Sequence, residues 1–143
     1  MSNAHNVGAG TGTVSAFNDG PRGTLTSIGS SPFGDLQTAP CWVEISPDGR
    51  YLFTVNTASG TLSRYAIGRD GTLALLGSTP VKGTGGVGAV DARLSPEGRW
   101  LFVDESSADA VGAFAVQGGS LTELSGSPTA LPAGASPAGI AVN

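Results

Sequence analysis

Two residues of opposite charge, Glu44 and Arg93, are the first candidates for chemistry in this chain. Set side by side, a carboxylate and a guanidinium could line a channel wall that recognises an anionic ligand. The same two groups could equally form an ion pair that joins neighbouring elements. His5 is the only imidazole and would suit a general base near neutral pH; the competing reading is a loop residue with no chemical role. Asp104, Glu105 and Asp109 could offer oxygen ligands to calcium, but the run lacks any recognised loop spacing. No second histidine or cysteine accompanies His5, so neither a metal nor a cofactor is predicted. Gly83-Thr84-Gly85-Gly86-Val87-Gly88 has the letters of a dinucleotide-binding loop. That loop works only by opening a helix, and the residues after Gly88 read as a strand. No Gly-x-Ser-x-Gly elbow occurs.

The elements that must position these groups are short and turn-rich. Of 143 residues, 23 are glycine and only 13% are charged, which favours many tight turns over a charged helical bundle. The seven basic residues are scattered in a chain of net charge −4, so no patch exists to neutralise phosphates, and nucleic acid is excluded as a partner. Apolar runs are strand-length, far below the roughly 20 residues that span a bilayer, so no membrane partner is predicted. Met1 is followed by polar residues and glycines rather than an apolar core, which predicts a soluble, cytoplasmic protein. Ser2-Asn3-Ala4 reads either as a tag remnant or as part of the chain's own pattern. Cys41, the single cysteine, permits no intrachain disulfide and is expected to be a small buried hydrophobe.

That pattern is a repeat. Gly12-Thr13-Val14-Ser15-Ala16-Phe17 returns as Gly60-Thr61-Leu62-Ser63-Arg64-Tyr65 and as Asp109-Ala110-Val111-Gly112-Ala113-Phe114. Gly23-Thr24-Leu25 returns as Gly71-Thr72-Leu73 and Gly119-Ser120-Leu121, each run leading to a Ser/Thr-Pro step at Pro32, Pro80 and Pro128. Ser46-Pro47-Asp48-Gly49-Arg50-Tyr51-Leu52-Phe53 returns as Ser95-Pro96-Glu97-Gly98-Arg99-Trp100-Leu101-Phe102, and residues 40–46 recur at 137–143. Asn3, Asn56 and Asp104 align at the end of one strand. On this register Glu44 and Arg93 hold one column in adjacent units, and Trp42 is the counterpart of Asp91.

Each unit reads as four antiparallel strands, A at 41–45, B at 51–55, C at 61–67 and D at 72–76, with Gly49 and Gly98 supplying positive φ in the A–B hairpins. About 48 residues and four strands per unit predict an all-β fold, a β-propeller fragment of three blade repeats with both ends cut mid-blade. The units are 3–38, 39–86 and 87–135, with the next beginning at 136–143, in one partial domain over 1–143. An immunoglobulin-like sandwich is the rival, but it does not repeat one turn chemistry at constant spacing. At most eleven strands in three sheets are expected, 137–142 being another strand A. Val43, Ile45, Leu52, Phe53, Ala92, Leu94, Leu101, Phe102, Ile140 and Val142 should supply most of the core. Three units leave raw faces, which predicts either a homo-oligomer, a dimer completing a ring, or a fragment of a longer chain.

On the Ser-Pro-Asp-Gly-Arg-Tyr-Leu-Phe motif at 46–53, its copy at 95–102 and Gly-Thr-Leu-Ser-Arg-Tyr at 60–65, the chain resembles the lactonase-type seven-bladed propellers, which include 6-phosphogluconolactonases and 3-carboxy-cis,cis-muconate cyclases. Roughly three of seven blades would be present. The resemblance implies lactone-ring chemistry, hydrolase or isomerase, on a small anionic or lactone ligand, with Glu44, Arg93, His5 and Glu105 as catalytic candidates. The family's Asp-Leu-Gly-x-Asp segment is matched in part by residues 104–109, while its Pro-His-x-His segment falls on 87–90, which hold no histidine. That gap keeps a second reading open, a non-catalytic binding or scaffold module.

Overall fold

The computed structural model describes residues 1–4, 8–82 and 88–143. It is built from antiparallel strands, and its only helical segments among the described residues are 3-10 turns at Pro21–Gly23 and Ser106–Ala108. The first unit contributes β1 (Ser2–Asn3), β2 (Thr13–Val14), β3 (Phe17–Asp19), β4 (Leu25–Ser27) and β5 (Phe33–Gly34). The second is an unbroken four-stranded meander of β6 (Pro40–Ile45), β7 (Tyr51–Asn56), β8 (Thr61–Ile67) and β9 (Leu73–Pro80). The third runs β10 (Ala89–Leu94), β11 (Trp100–Glu105), β12 (Ala110–Gln117) and β13 (Ser120–Glu123), with β14 (Thr129–Ala130) pairing back onto β12.

Among the described residues, fourteen strands in four sheets therefore replace the expected eleven in three. β1 and the break of the first strand C into β2 and β3 add two, the strand expected at 137–142 is lost, and the remaining two come from breaks in strand D. In the second unit it passes straight through Gly77, where a bulge faces Arg64 and Tyr65. In the first and third units a turn closes from the Ser31 N–H to the Ile28 carbonyl (3.0 Å) and from the Ser127 N–H to the Leu124 carbonyl (3.0 Å). A serine hydroxyl then takes the backbone N–H that the strand gives up, Ser31 Oγ from Ala16 (3.0 Å) and Ser127 Oγ from Ala113 (2.9 Å). Each turn adds two residues, so Pro80 is equivalent to Gly34 and Ala130 rather than to Pro32 and Pro128. Residues 137–142 form no strand, which corrects the expected strand A there.

The A–B hairpins form as the repeated motif dictates. Ser46 accepts the Tyr51 N–H on its hydroxyl (3.0 Å), Asp48 accepts the Ser46 hydroxyl (2.5 Å), and the Gly49 N–H closes the turn on the Ser46 carbonyl (2.8 Å). Those bonds, chiefly the one from Ser46, hold the Asp48 carboxyl below its ordinary range. Gly49 and Gly98 both sit at φ +70, as predicted. A Cβ at Gly49 would meet nothing, whereas one at Gly98 would lie 2.7 Å from the Pro47 ring. Gly49→Ala should then cost about 1 kcal/mol from backbone strain alone, and Gly98→Ala about 2 kcal/mol or more. Urea denaturation of both variants measures the difference; equal losses would mean that the two turns do not touch.

The core lies in the seams between sheets. Phe53, Val55 and Leu62 of the second sheet pack against Ala92, Leu101, Val103 and Phe114 of the third, and Val14 of the first unit packs with Leu52, Tyr65 and Leu73. Cover on both faces explains why adjacent residues Leu52 and Phe53 are both buried. The expected core needs correction at its margins. Ile45 is 54% exposed and Val43 half-buried on β6, an edge strand, while Phe102 on β11 is half-buried and so are Ile140 and Val142, which join no strand. Cys41, on the same edge strand β6, is exposed, not buried.

Candidate functional site

Strand alternation places Glu44 opposite Phe53 on β6–β7 and Arg93 opposite Phe102 on β10–β11, so the two charges occupy one position in neighbouring blades. They meet across the seam: Arg93 Nη1 donates to Glu44 Oε1 at 2.6 Å. The Glu44 side chain is 12% exposed and that of Arg93 51%, so the carboxylate is shielded while the guanidinium keeps an open side. The bond to Glu44, its charge and then the charge of Asp91 hold the Arg93 pKa above its usual value. Trp42, on the same face of β6, is 41% exposed and extends this wall with an apolar surface.

The acidic run at 104–109 divides its work. Asp109 accepts the N–H groups of Gly134 (2.6 Å) and Ser136 (2.7 Å), which depress its pKa and fix the chain leaving the third blade. Asp104 faces Asp91 across β10–β11, and burial followed by the Asp91 charge raises its pKa. Asp91 accepts the Ala92 N–H (2.7 Å) and the Ile140 N–H (3.0 Å). Glu105 turns to the other face of β11 and is fully buried. Its pKa is pushed up to about 7, first by burial and then by Glu123. A one-residue slip in the expected register is corrected here. Glu105, not Asp104, matches Asn56, since Asn56 pairs with Thr61 and Glu105 with Ala110.

The structure thus brings together Glu44 and Arg93, adds Asp91, and leaves Glu105 apart. Glu105 is the cross-strand partner of Ala89, four residues along β10 from Arg93 and so about 13 Å away along the strand. His5 lies outside the described residues, as do Gly83 and Gly85 of the glycine run. Gly88 leads directly into β10, a strand. No cluster of three or more metal-ligating side chains occurs among the described residues. Asp91 was missed as a neighbour of Arg93, although its place two residues earlier on one strand puts it on the same face. A buried Asp35–Tyr65 pair was missed too; its one sequence signal is a hydroxyl where the sister repeats carry Phe17 and Phe114. Chemically, the wall offers a half-open arginine, oriented by a shielded carboxylate, that can receive a carboxylate, a phosphate or a polarised carbonyl oxygen.

Comparison with known proteins gives the fold a context. The family described as lactonase, 7-bladed beta-propeller, matches residues 2–137. A protein from Lactobacillus plantarum superposes with a TM-score of 0.70 at 23% identity, over 82% of this chain and 35% of the other. A periplasmic gluconolactonase of Pseudomonas aeruginosa gives 0.66 at 24% identity, over 85% and 36%. A candidate 6-phosphogluconolactonase of Bacteroides fragilis gives 0.68 at 21%, over 83% and 33%. These likenesses are of fold, and the chain spans about a third of each of those structures. No curated protein matches.

Proposed function

The chain belongs to the seven-bladed β-propeller lactonase family, and from that premise we propose that its Glu44–Arg93 wall binds a small anionic lactone whose ring is opened by water. The observation that carries this reading is the half-open Arg93 guanidinium, held by Glu44 on the neighbouring inner strand. In ring opening, water adds to the carbonyl carbon, negative charge collects on the carbonyl oxygen, and the ring C–O bond breaks to leave a carboxylate and a hydroxyl. Arg93 would stabilise that developing charge, and Glu44 would orient Arg93. His5 is retained as the proposed base. Glu105, wholly buried, would act on the site only through packing. The gluconolactonase and 6-phosphogluconolactonase named above suggest sugar-acid lactones as the substrate class. Ring formation of the muconate-cyclising kind runs through the same anion site and is the finer alternative.

Catalysis needs a closed ring, completed by further blades of one polypeptide or by a second copy, and light scattering distinguishes the two. No described helix is long and apolar enough to cross a membrane; the cytoplasmic location remains part of the proposal, since one similar structure is periplasmic.

The test is hydrolysis of gluconolactone and 6-phosphogluconolactone above the uncatalysed rate. Arg93→Ala should lower kcat/KM about 10- to 100-fold, in keeping with the loss of a charge-assisted hydrogen bond, and Arg93→Lys should fall between. Unchanged kinetics in Arg93→Ala would remove Arg93 from the site. The missing histidines at 87–90 favour the second reading, a binding module. Lactone binding by calorimetry without turnover would establish that one.

A further inference from the structure

At the end of strand B the three repeats make one side-chain motif, and the third copy has changed all of it. Asn3 donates from Nδ2 to Thr13 Oγ1 (3.0 Å) and Ser15 Oγ (2.8 Å). Asn56 donates to Thr61 Oγ1 (3.1 Å) and Ser63 Oγ (2.8 Å). In the third repeat these positions hold Glu105, Ala110 and Gly112, so a carboxyl replaces the amide and both hydroxyls are gone. The substitutions are sterically linked. A Cβ at Gly112 would run into Glu105 Oε1, and the longer side chain fits only because residue 112 has none. Glu105 is 0% exposed, and neither carboxyl oxygen has a hydrogen-bond partner among the described residues.

We propose that Glu105 is a proton-operated lock on the seam between the second and third blades, closing it when uncharged and loosening it when ionised. The groups around it support this. Ala89 and Ala110 flank it across β10 and β12, and Phe114 borders Gly112. From β13 comes Glu123, a second acid, with a side chain 3% exposed. Glu123 is satisfied by the Ser127 hydroxyl (3.0 Å) and the Lys82 N–H (3.3 Å). Among the described residues the cation paired with Glu123 is Lys82, 3.9 Å away and 68% exposed, too open to water to neutralise two acids. On the second blade, Arg64 directs its guanidinium to the Leu76 carbonyl (3.5 Å). Asp104 lies on the opposite face of β11. A carboxylate without water or cation is costly to ionise, whereas the neutral acid is tolerated.

Burial and Glu123 together raise the Glu105 pKa from 4.5 to about 7. A raised acid favours the folded state fully below its unfolded pKa, and that contribution is lost as pH climbs through the folded value. The seam should therefore weaken between about pH 5 and pH 8. It is also the seam that Glu44 and Arg93 bridge, yet the lock does not depend on the proposed activity.

The test compares urea midpoints over that range for the whole chain, for Glu105→Gln, and for a graft of the sister motif, Glu105→Asn with Ala110→Thr and Gly112→Ser. The unmodified chain should lose midpoint steadily as pH rises, while both variants stay flatter, so that the curves diverge above neutrality. His5 is unchanged in every variant, so a divergence of the profiles isolates Glu105. Parallel profiles would overturn the lock. Should the variants fail to fold, a carbon-13 NMR titration of the Glu105 carboxyl in the unmodified chain decides: a midpoint above about 6 upholds it, and one below about 6 overturns it.

Discussion

Phe114→Ala should destabilise the chain by about 3–5 kcal/mol, while Phe17→Ala, the same repeat position two repeats earlier, should cost less than about 1 kcal/mol. Phe114 is 0% exposed in the seam with Leu101 and Leu121, so truncation leaves a cavity that rigid strands on both sides cannot refill. Phe17 is 38% exposed, with solvent already touching its ring. Urea denaturation of the two variants reads the contrast directly. Against a typical domain stability of 5–15 kcal/mol, the Phe114 loss is large enough to leave a measurable unfolded population without denaturant. Similar costs for both would mean that the second and third blades do not pack as one seam.

Tyr65→Phe should cost about 2–3 kcal/mol near neutral pH and distinctly less in acid. Tyr65 occupies the middle copy of that same position, and its hydroxyl donates to Asp35 Oδ1 at 2.8 Å, with the Gly34 carbonyl at 3.1 Å as a second acceptor. Asp35 is 1% exposed, and its Oδ2 has no partner among the described residues. Burial raises the Asp35 pKa, and hydrogen bonds from Ser63 and Tyr65 pull it part of the way back. Removing the hydroxyl withdraws one of those bonds and raises the pKa further. A raised carboxyl stabilises the fold at low pH and loses that contribution as pH rises through the folded value, so the penalty must grow from acid towards neutrality. Urea midpoints at about pH 4 and pH 7.5 measure it. A gap between variant and unmodified chain that is independent of pH would show that Asp35 stays neutral throughout.

The sequence by itself determined the repeat, the four-strand blade and the hairpin turns, because each recurs and each rests on local chemistry: a serine and a glycine within four residues close the turn in both copies, and in the first Asp48 adds a further bond. It also determined that Glu44 and Arg93 share a column, since strand alternation and a constant offset are enough to predict a side chain's face. Their meeting at 2.6 Å follows from that. The tertiary structure decided where local rules leave one residue of freedom. Whether Asp104 or Glu105 enters the seam depends on which residue of the next strand lies opposite, and a shift of one exchanges the two faces of β11. The two-residue turns at Ser31 and Ser127 moved the prolines out of the register their spelling suggests. Ile45 and Cys41 carry core chemistry yet lie open, because burial belongs to the layer that covers a residue rather than to the residue. Asp35 and Tyr65 are 30 positions apart, and only the closing of one blade against the next brings a carboxylate and a hydroxyl into a space that water does not enter.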